Sequence, residues 1–283
     1  MSLLTANRRL FCSAAFLAVA FAFALPSCGA AEETGVAKEL PRLLLLAQGP
    51  DGHPPGTHEY RAGQRVLKKL LSTTPNLELT IAEAGADWPT DPAALDNVDG
   101  VALFVAEGAK WIHADERRRD MFARFAQRGG GLVAFHWAIG TRTAEPIDGF
   151  VKLFGACHGG PDRKYKFLET TLRPSNAKHP ITTGVEPLRV KEEFYYQLKH
   201  ARDDRLVWLM EAEIDGAAQP VAWAWERPDG GRSFGFSGLH FHENWSQPSY
   251  QRLMAQGALW TLKRTPPEND FPARLTAEDL KLP

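Results

Sequence analysis

The sequence predicts an α/β protein: a doubly wound, mostly parallel sheet with additional antiparallel edge strands in the C-terminal half. Two observations carry this. In the first half, continuous apolar runs such as Leu43-Leu44-Leu45-Leu46 and Val101-Ala102-Leu103-Phe104 alternate with segments of helical spacing. That is the pattern of strands covered on both faces by crossover helices. In the second half, short strand-like runs are separated by Pro- and Gly-rich turns, and one segment alone has clear helical spacing.

Taken in order, residues 40–47 read as a buried strand, and 48–57 as a loop carrying Gly49, Pro50, Gly52, Pro54, Pro55 and Gly56. A helix is expected over 58–71, an alternating strand over 77–81 and a buried strand over 98–105. A helix over 114–127 places Met121, Phe122 and Phe125 on one face, and Gly129-Gly130-Gly131 ends it before a strand at Leu132-Val133-Ala134-Phe135. Strand-like runs follow at 165–172, 188–197, 206–213, 221–225 and 232–237, read as returning edge strands, and a closing helix at 250–262. Residues 265–283 are polar and proline-containing, a C-terminal extension that wraps the surface; the α/β domain is therefore placed at 40–264.

Residues 1–28 read as a targeting segment. Arg8-Arg9 precedes an apolar run from Ala14 to Leu25 that is too short to span a bilayer. Leu25-Pro26-Ser27-Cys28-Gly29 resembles a lipoprotein cleavage box, with Cys28 as lipid anchor; cleavage near Ala30 by an ordinary signal peptidase is the competing reading. Asn7-Arg8-Arg9-Leu10-Phe11 also resembles a twin-arginine signal, which implies export after folding. Residues 29–39 read as a tether. The expected location is periplasmic and membrane-anchored, or secreted, with membrane contact only through the leader or the anchor.

Thirty-three basic and 34 acidic residues give a net charge of −1, so nothing in the global charge favours nucleic acid, and no such partner is expected. Losing residues 1–27 removes Arg8 and Arg9 and shifts the balance to −3. Of three cysteines, Cys157 alone falls in the domain, where a small buried thiol is the better reading than a nucleophile. Gly129-Gly130-Gly131 precedes a strand rather than the helix N-terminus a phosphate loop needs.

The nine histidines are the informative count. In an open α/β sheet, ligands bind beyond the carboxyl ends of the strands. His53 and His58 follow the first strand, His136 ends the Leu132 strand, His158 lies in a glycine-rich loop, and His240 and His242 follow the 232–237 run. Six imidazoles are thus expected at one edge; His113, His179 and His200 do not share the pattern. His240-x-His242 on an extended stretch would point to one side, which suits metal ligation. In Glu192-Glu193, one acid is expected buried and one solvated, the buried one serving as general acid or base. Trp137 and Trp245, near the candidate histidines, offer rings for stacking on sugar.

Five stretches together resemble one family: 52–60 (GHPPGTHEY), 129–136 (GGGLVAFH), 179–184 (HPITTG), Glu192-Glu193-Phe194-Tyr195, and 231–260 from Gly-Arg-Ser-Phe to Gly257-Ala258-Leu259-Trp260. The resemblance, over about residues 42–264, is to the trehalose-utilisation (ThuA-like) family. It implies a flavodoxin-like fold related to class I glutamine amidotransferases, with His136 at the turn where those enzymes carry a nucleophilic Cys, and so no glutamine hydrolysis. It implies a role in carbohydrate catabolism on a small-molecule sugar, specifically oxidised (3-keto) glycosides. His58, His136, Glu193, Tyr195 and His240 are the implied polar site. Phe241 stands where relatives commonly carry Asp.

Two functions from different classes follow. The first is an exported enzyme cleaving 3-keto glycosides, by acid–base chemistry on His136, Glu193, His240, His58 and Tyr195, or with a divalent metal (Zn or Mn) on His136, His240 and His242. His53, Trp137, His158 and Trp245 would bind substrate. The second is a non-catalytic carbohydrate-binding lipoprotein that retains the fold.

Overall fold

Four consecutive leucines need apolar cover on both faces, and strand β1 (Arg42–Ala47) finds it. Leu43, Leu45 and Ala47 join one apolar layer with helices α1 (Tyr60–Leu71) and α5 (Pro248–Thr261). Leu44 and Leu46 join a second layer with α2 (Gly108–His113), α3 (Glu116–Gln127) and α4 (Ile147–Phe154). The computed structural model describes residues 40–282, so the expected leader, tether and Cys28 anchor lie outside the described residues.

β1 pairs in parallel with β2 (Glu78–Glu83) on one side and β3 (Gly100–Phe104) on the other. β3 pairs with β4 (Gly131–Phe135), and β4 with β12 (Arg232–Phe236), again in parallel. This five-strand order, β2-β1-β3-β4-β12, is flavodoxin-like, and it reverses direction at β1. Four antiparallel strands extend it: β11 (Ala217–Glu226), β10 (Leu206–Ile214), β7 (Lys164–Pro174) and β8 (Leu188–Tyr196). β10 meets β7 only where Met210–Ala212 face Leu172–Pro174. Residues 164–171 of β7 therefore pair with β8 alone, and the β7–β8 hairpin diverges from the sheet toward the carboxyl ends of the parallel strands.

Three expectations are corrected. The 232–237 run is a central parallel strand and not an edge; its small Gly235 lies under the Trp223 ring, which a Cβ would meet at 2.1 Å. His158 lies in strand β6 (Ala156–Gly159), which pairs with β5 (Gly140–Thr141) and β9 (Lys199–His200) in a small separate sheet, rather than in a loop. Helices α2 and α4 were not foreseen. The closing helix packs as expected, with Gly257 of α5 seated against the Phe234 ring. The C-terminal residues run over the surface: Ala273 N–H donates to the Leu70 carbonyl. Among the described residues, no helix is long and apolar enough to cross a membrane.

Candidate metal centre

His136 follows β4 directly, with φ of +47°, a left-handed conformation that costs a non-glycine residue on the order of 1–3 kcal/mol. The sharp turn lifts its ring over the strand ends. His58 (φ +53°) comes from the loop after β1, and His240 follows Leu239 (φ +80°) after β12. Glu193 comes from β8 on the diverging hairpin. Three of the four residues are thus delivered by strained turns or their neighbours at the ends of parallel strands.

The four side chains meet. His58 Nε2 lies 3.0 Å from His136 Nε2 and 3.1 Å from His240 Nδ1, and His136 Nε2 lies 3.2 Å from His240 Nδ1. Glu193 Oε2 is 3.0 Å from His240 Nδ1 and 3.4 Å from His136 Nε2. All four residues are buried.

The outward nitrogens fix the tautomers. His58 Nδ1 faces Asp51 Oδ2 at 2.8 Å, and His136 Nδ1 faces the Ser237 carbonyl at 2.9 Å, so both donate there. Each Nε2 then turns a lone pair inward. Two lone pairs, the His240 ring and a carboxylate crowded at 3.0–3.4 Å repel one another unless a cation or shared protons sit among them. Tetrahedral ligation with bonds of about 2.0–2.1 Å spaces donor atoms roughly 3.3–3.4 Å apart, and three imidazoles plus a carboxylate suit a borderline divalent ion. The donor set therefore fits such an ion.

Burial lowers the pKa of His58 to about 4, with the Asp51 hydrogen bond working the other way, so the ring is neutral near pH 7, as a ligand must be. Burial works to raise the Glu193 carboxyl, but its close contacts with the His136 and His240 rings outweigh it and hold the group at about 2. Tyr195 is raised well above its usual value by burial and keeps its proton; its hydroxyl is 3.1 Å from His136 Nε2. Its ring stacks between His136 (centroids 4.6 Å) and His158 (3.9 Å). Burial takes His158 down to about 3, which leaves that ring uncharged.

Asp51 escaped the sequence reading as a functional residue. Asp51 sits in the Pro/Gly loop, where an Asp reads as a turn residue. Here it accepts from His58, from the Tyr60 hydroxyl at 2.6 Å and from His53 Nδ1 at 2.7 Å. Burial opposes its ionisation, and these bonds overcome it, leaving the carboxyl well below its usual range. A carboxylate behind a ligand imidazole fixes its tautomer and raises its basicity. Asp51→Asn should weaken Zn²⁺ affinity about 10–100-fold, measured by competition with a chromogenic chelator.

Glu192 is fully buried rather than one of a buried and solvated pair; neither acid of the pair is solvated. On a strand the two neighbours face opposite ways. Glu192 accepts from the backbone N–H of Leu239 (2.8 Å) and His240 (3.0 Å), from Asn244 Nδ2 (2.9 Å) and from the Tyr250 hydroxyl (3.1 Å). Burial pushes its carboxyl up, and these donors work against the rise.

The remaining candidates divide. His53 stacks on His58 at 3.6 Å, and Trp137 and His158 line a cleft of about 220 Å³ that opens beside Glu193 and Tyr195. His242 is not brought in. The chain enters a 3-10 turn at His242–Ser246, so the presumed extended His-x-His stretch does not exist, and its Nε2 faces the Leu280 carbonyl at 3.1 Å. Trp245 is 1% exposed, packed edge-on against Phe135 in the core, with no face for a sugar. Cys157 is buried, which pushes its thiol up to about 12 and keeps it an unreactive thiol. His113 (to the Ala109 carbonyl), His179 (capping Ile181 N–H) and His200 stay outside the cluster.

A flavodoxin-like α/β domain with a buried His₃Glu cluster beyond its strand ends is the class that fold and site define. The chain belongs to the ThuA (trehalose utilisation) family, whose model matches residues 52–261. A ThuA-like protein from Bacteroides uniformis shares the fold at TM-score 0.60 and 16% identity, over 82% of this chain and 95% of that one. One from Parabacteroides merdae does so at 0.60 and 17%, over 87% and 100%. A cytoplasmic protein from Salmonella typhimurium LT2 matches at 0.54 and 13%, over 78% and 99%. Among curated proteins none matches.

Proposed function

We propose that this chain is a metal-dependent enzyme of carbohydrate catabolism that cleaves oxidised (3-keto) glycosides, acting outside the cytoplasm. The observation that carries the reading is the convergence of three imidazole nitrogens and a carboxylate oxygen within 4.8 Å in a buried pocket beside an open cleft. The family's description, trehalose utilisation, supports a role in sugar use. The leader-like residues 1–28 support export.

His58, His136, His240 and Glu193 would hold the ion, which when bound supplies Lewis-acid polarisation of a substrate oxygen. A 3-keto group acidifies the C2–H bond. A base takes that proton, the electron pair moves into a C1–C2 double bond, the C1–O bond breaks, and the departing oxygen takes a proton. With His136, His240 and Glu193 committed as ligands, these transfers fall to groups lining the cleft. His53 has its Nδ1 held by Asp51, which makes Nε2 its basic atom. Tyr195 keeps a proton to give to the departing oxygen. Trp137 and the neutral His158 wall the cleft on the substrate side.

Untagged protein should carry close to one equivalent of Zn or Mn, turn over a 3-keto-disaccharide but not the plain disaccharide, lose that activity in chelator and regain it with metal. Metal-free protein that is inactive on both sugars with every ion added would overturn the proposal. Sugar binding without turnover under those conditions would make it the non-catalytic binding protein instead.

A further inference from the structure

Four large apolar side chains are exposed among the described residues: Leu40, Tyr165, Phe167 and Leu282. Two of them stand together at the mouth of the site. Tyr165 (52% exposed) and Phe167 (54% exposed) lie two residues apart on β7 and so share a face. Their partners across the hairpin are Tyr195 and Glu193 respectively, so the face they share is the one that carries the candidate site. Phe167 stands edge-on to the His240 ring at 4.9 Å, and Tyr165 edge-on to His158 at 6.4 Å. Both line the cleft, as do Arg142 and Arg163.

Burial elsewhere is thorough, so two large rings left in water beside a reaction centre call for an occupant. A pyranose ring has an apolar face of axial C–H bonds and an equatorial belt of hydroxyls. An aromatic wall with hydrogen-bond donors in the same cleft matches both. The buried cluster accepts the reacting ring, and these residues lie further out along the same cleft, where the leaving group of a glycoside must extend.

We propose that Tyr165 and Phe167 form a leaving-group subsite that stacks on a second sugar ring, making this a disaccharide-type rather than a simple alkyl-glycoside site. The inference rests on the glycoside reading above. It also relocates the stacking role from Trp245, which the core has absorbed.

The test compares a 3-keto-disaccharide with methyl 3-keto-glucoside, on the parent and on Tyr165→Ala, Phe167→Ala and the double variant. Both side chains are exposed, so the variants should fold. Each single change should lower kcat/KM on the disaccharide about tenfold, through KM, and leave the methyl glycoside within about twofold. Phe167→Tyr and Tyr165→Phe should restore the parent value. Equal losses on both substrates would overturn the subsite. If the parent turns over neither substrate, the cleavage reading fails and the subsite is judged by saturation-transfer NMR with cellobiose. Transfer to the second-ring protons, lost in the double variant, would sustain it; transfer unchanged in that variant, or no binding by the parent, would overturn it. A parent dimer that the double variant converts to monomer would also overturn it, because the rings would then face a second copy.

Discussion

Replacing His136 by alanine should strip the bound ion and lower kcat/KM on a 3-keto glycoside by at least about 10³-fold, or roughly 4 kcal/mol of transition-state stabilisation. His136 is the hub of the cluster: its Nε2 lies within 3.4 Å of His58, His240, Glu193 and Tyr195 together. Removing it withdraws one ligand and leaves the other three to span the vacated centre. It also relieves the left-handed φ at that position only in part, since alanine keeps a Cβ. Stability is therefore expected to change little while metal content and turnover fall together, read by elemental analysis and a sugar assay on the same sample. His136→Ala protein that retained a full equivalent of metal and normal turnover would remove the cluster from the chemistry.

The second large effect is on stability. Glu192→Ala should cost at least about 3 kcal/mol, because it leaves several buried donors without acceptors, each worth roughly 1–3 kcal/mol. Those donors include the N–H groups of Leu239 and His240, so the carboxylate also clamps the strained turn that presents His240. At this chain size, a loss of about 3 kcal/mol lowers Tm by roughly 6–12 °C. Calorimetry of the metal-free protein isolates the effect from ligation. Glu193→Ala, which removes the neighbour on the opposite face, should reduce metal binding with a smaller thermal penalty. The pair of variants separates one acid that holds the turn from one that faces the candidate metal site.

The parallel half of the fold was legible because its strands are continuous apolar runs, and such runs have one stable home, the centre of a covered sheet. β12 was mistaken for an edge strand because Arg232-Ser233-Phe234-Gly235-Phe236 is short and contains glycine; what makes it central is the Trp223 ring lying over Gly235, a tertiary contact. Helix α4 is only eight residues long, within the range where apolar runs are ambiguous. The site was legible as residue types at strand ends, and His58, His136, Glu193 and His240 come together in space. His242 and Trp245 were misplaced for a local reason. Period-two alternation assumes extended backbone, and Leu239 in a left-handed conformation followed by a 3-10 turn breaks it. Asp51 could have been found by asking what orients His58; its own surroundings gave no signal beyond a turn.

The ring nitrogens of His58 and His240 meet although 182 residues separate them in the chain. No partial product of translation holds this site, and the ion proposed for it could enter only after β12 and the turn beyond it are in place. Selectivity among divalent ions follows availability as much as ligand type. If the proposed ion is bound, the compartment in which the chain completes its folding therefore helps decide which ion that is. A chain exported unfolded samples the ions outside the cytoplasm, and one exported folded carries out whatever the cytoplasm loaded.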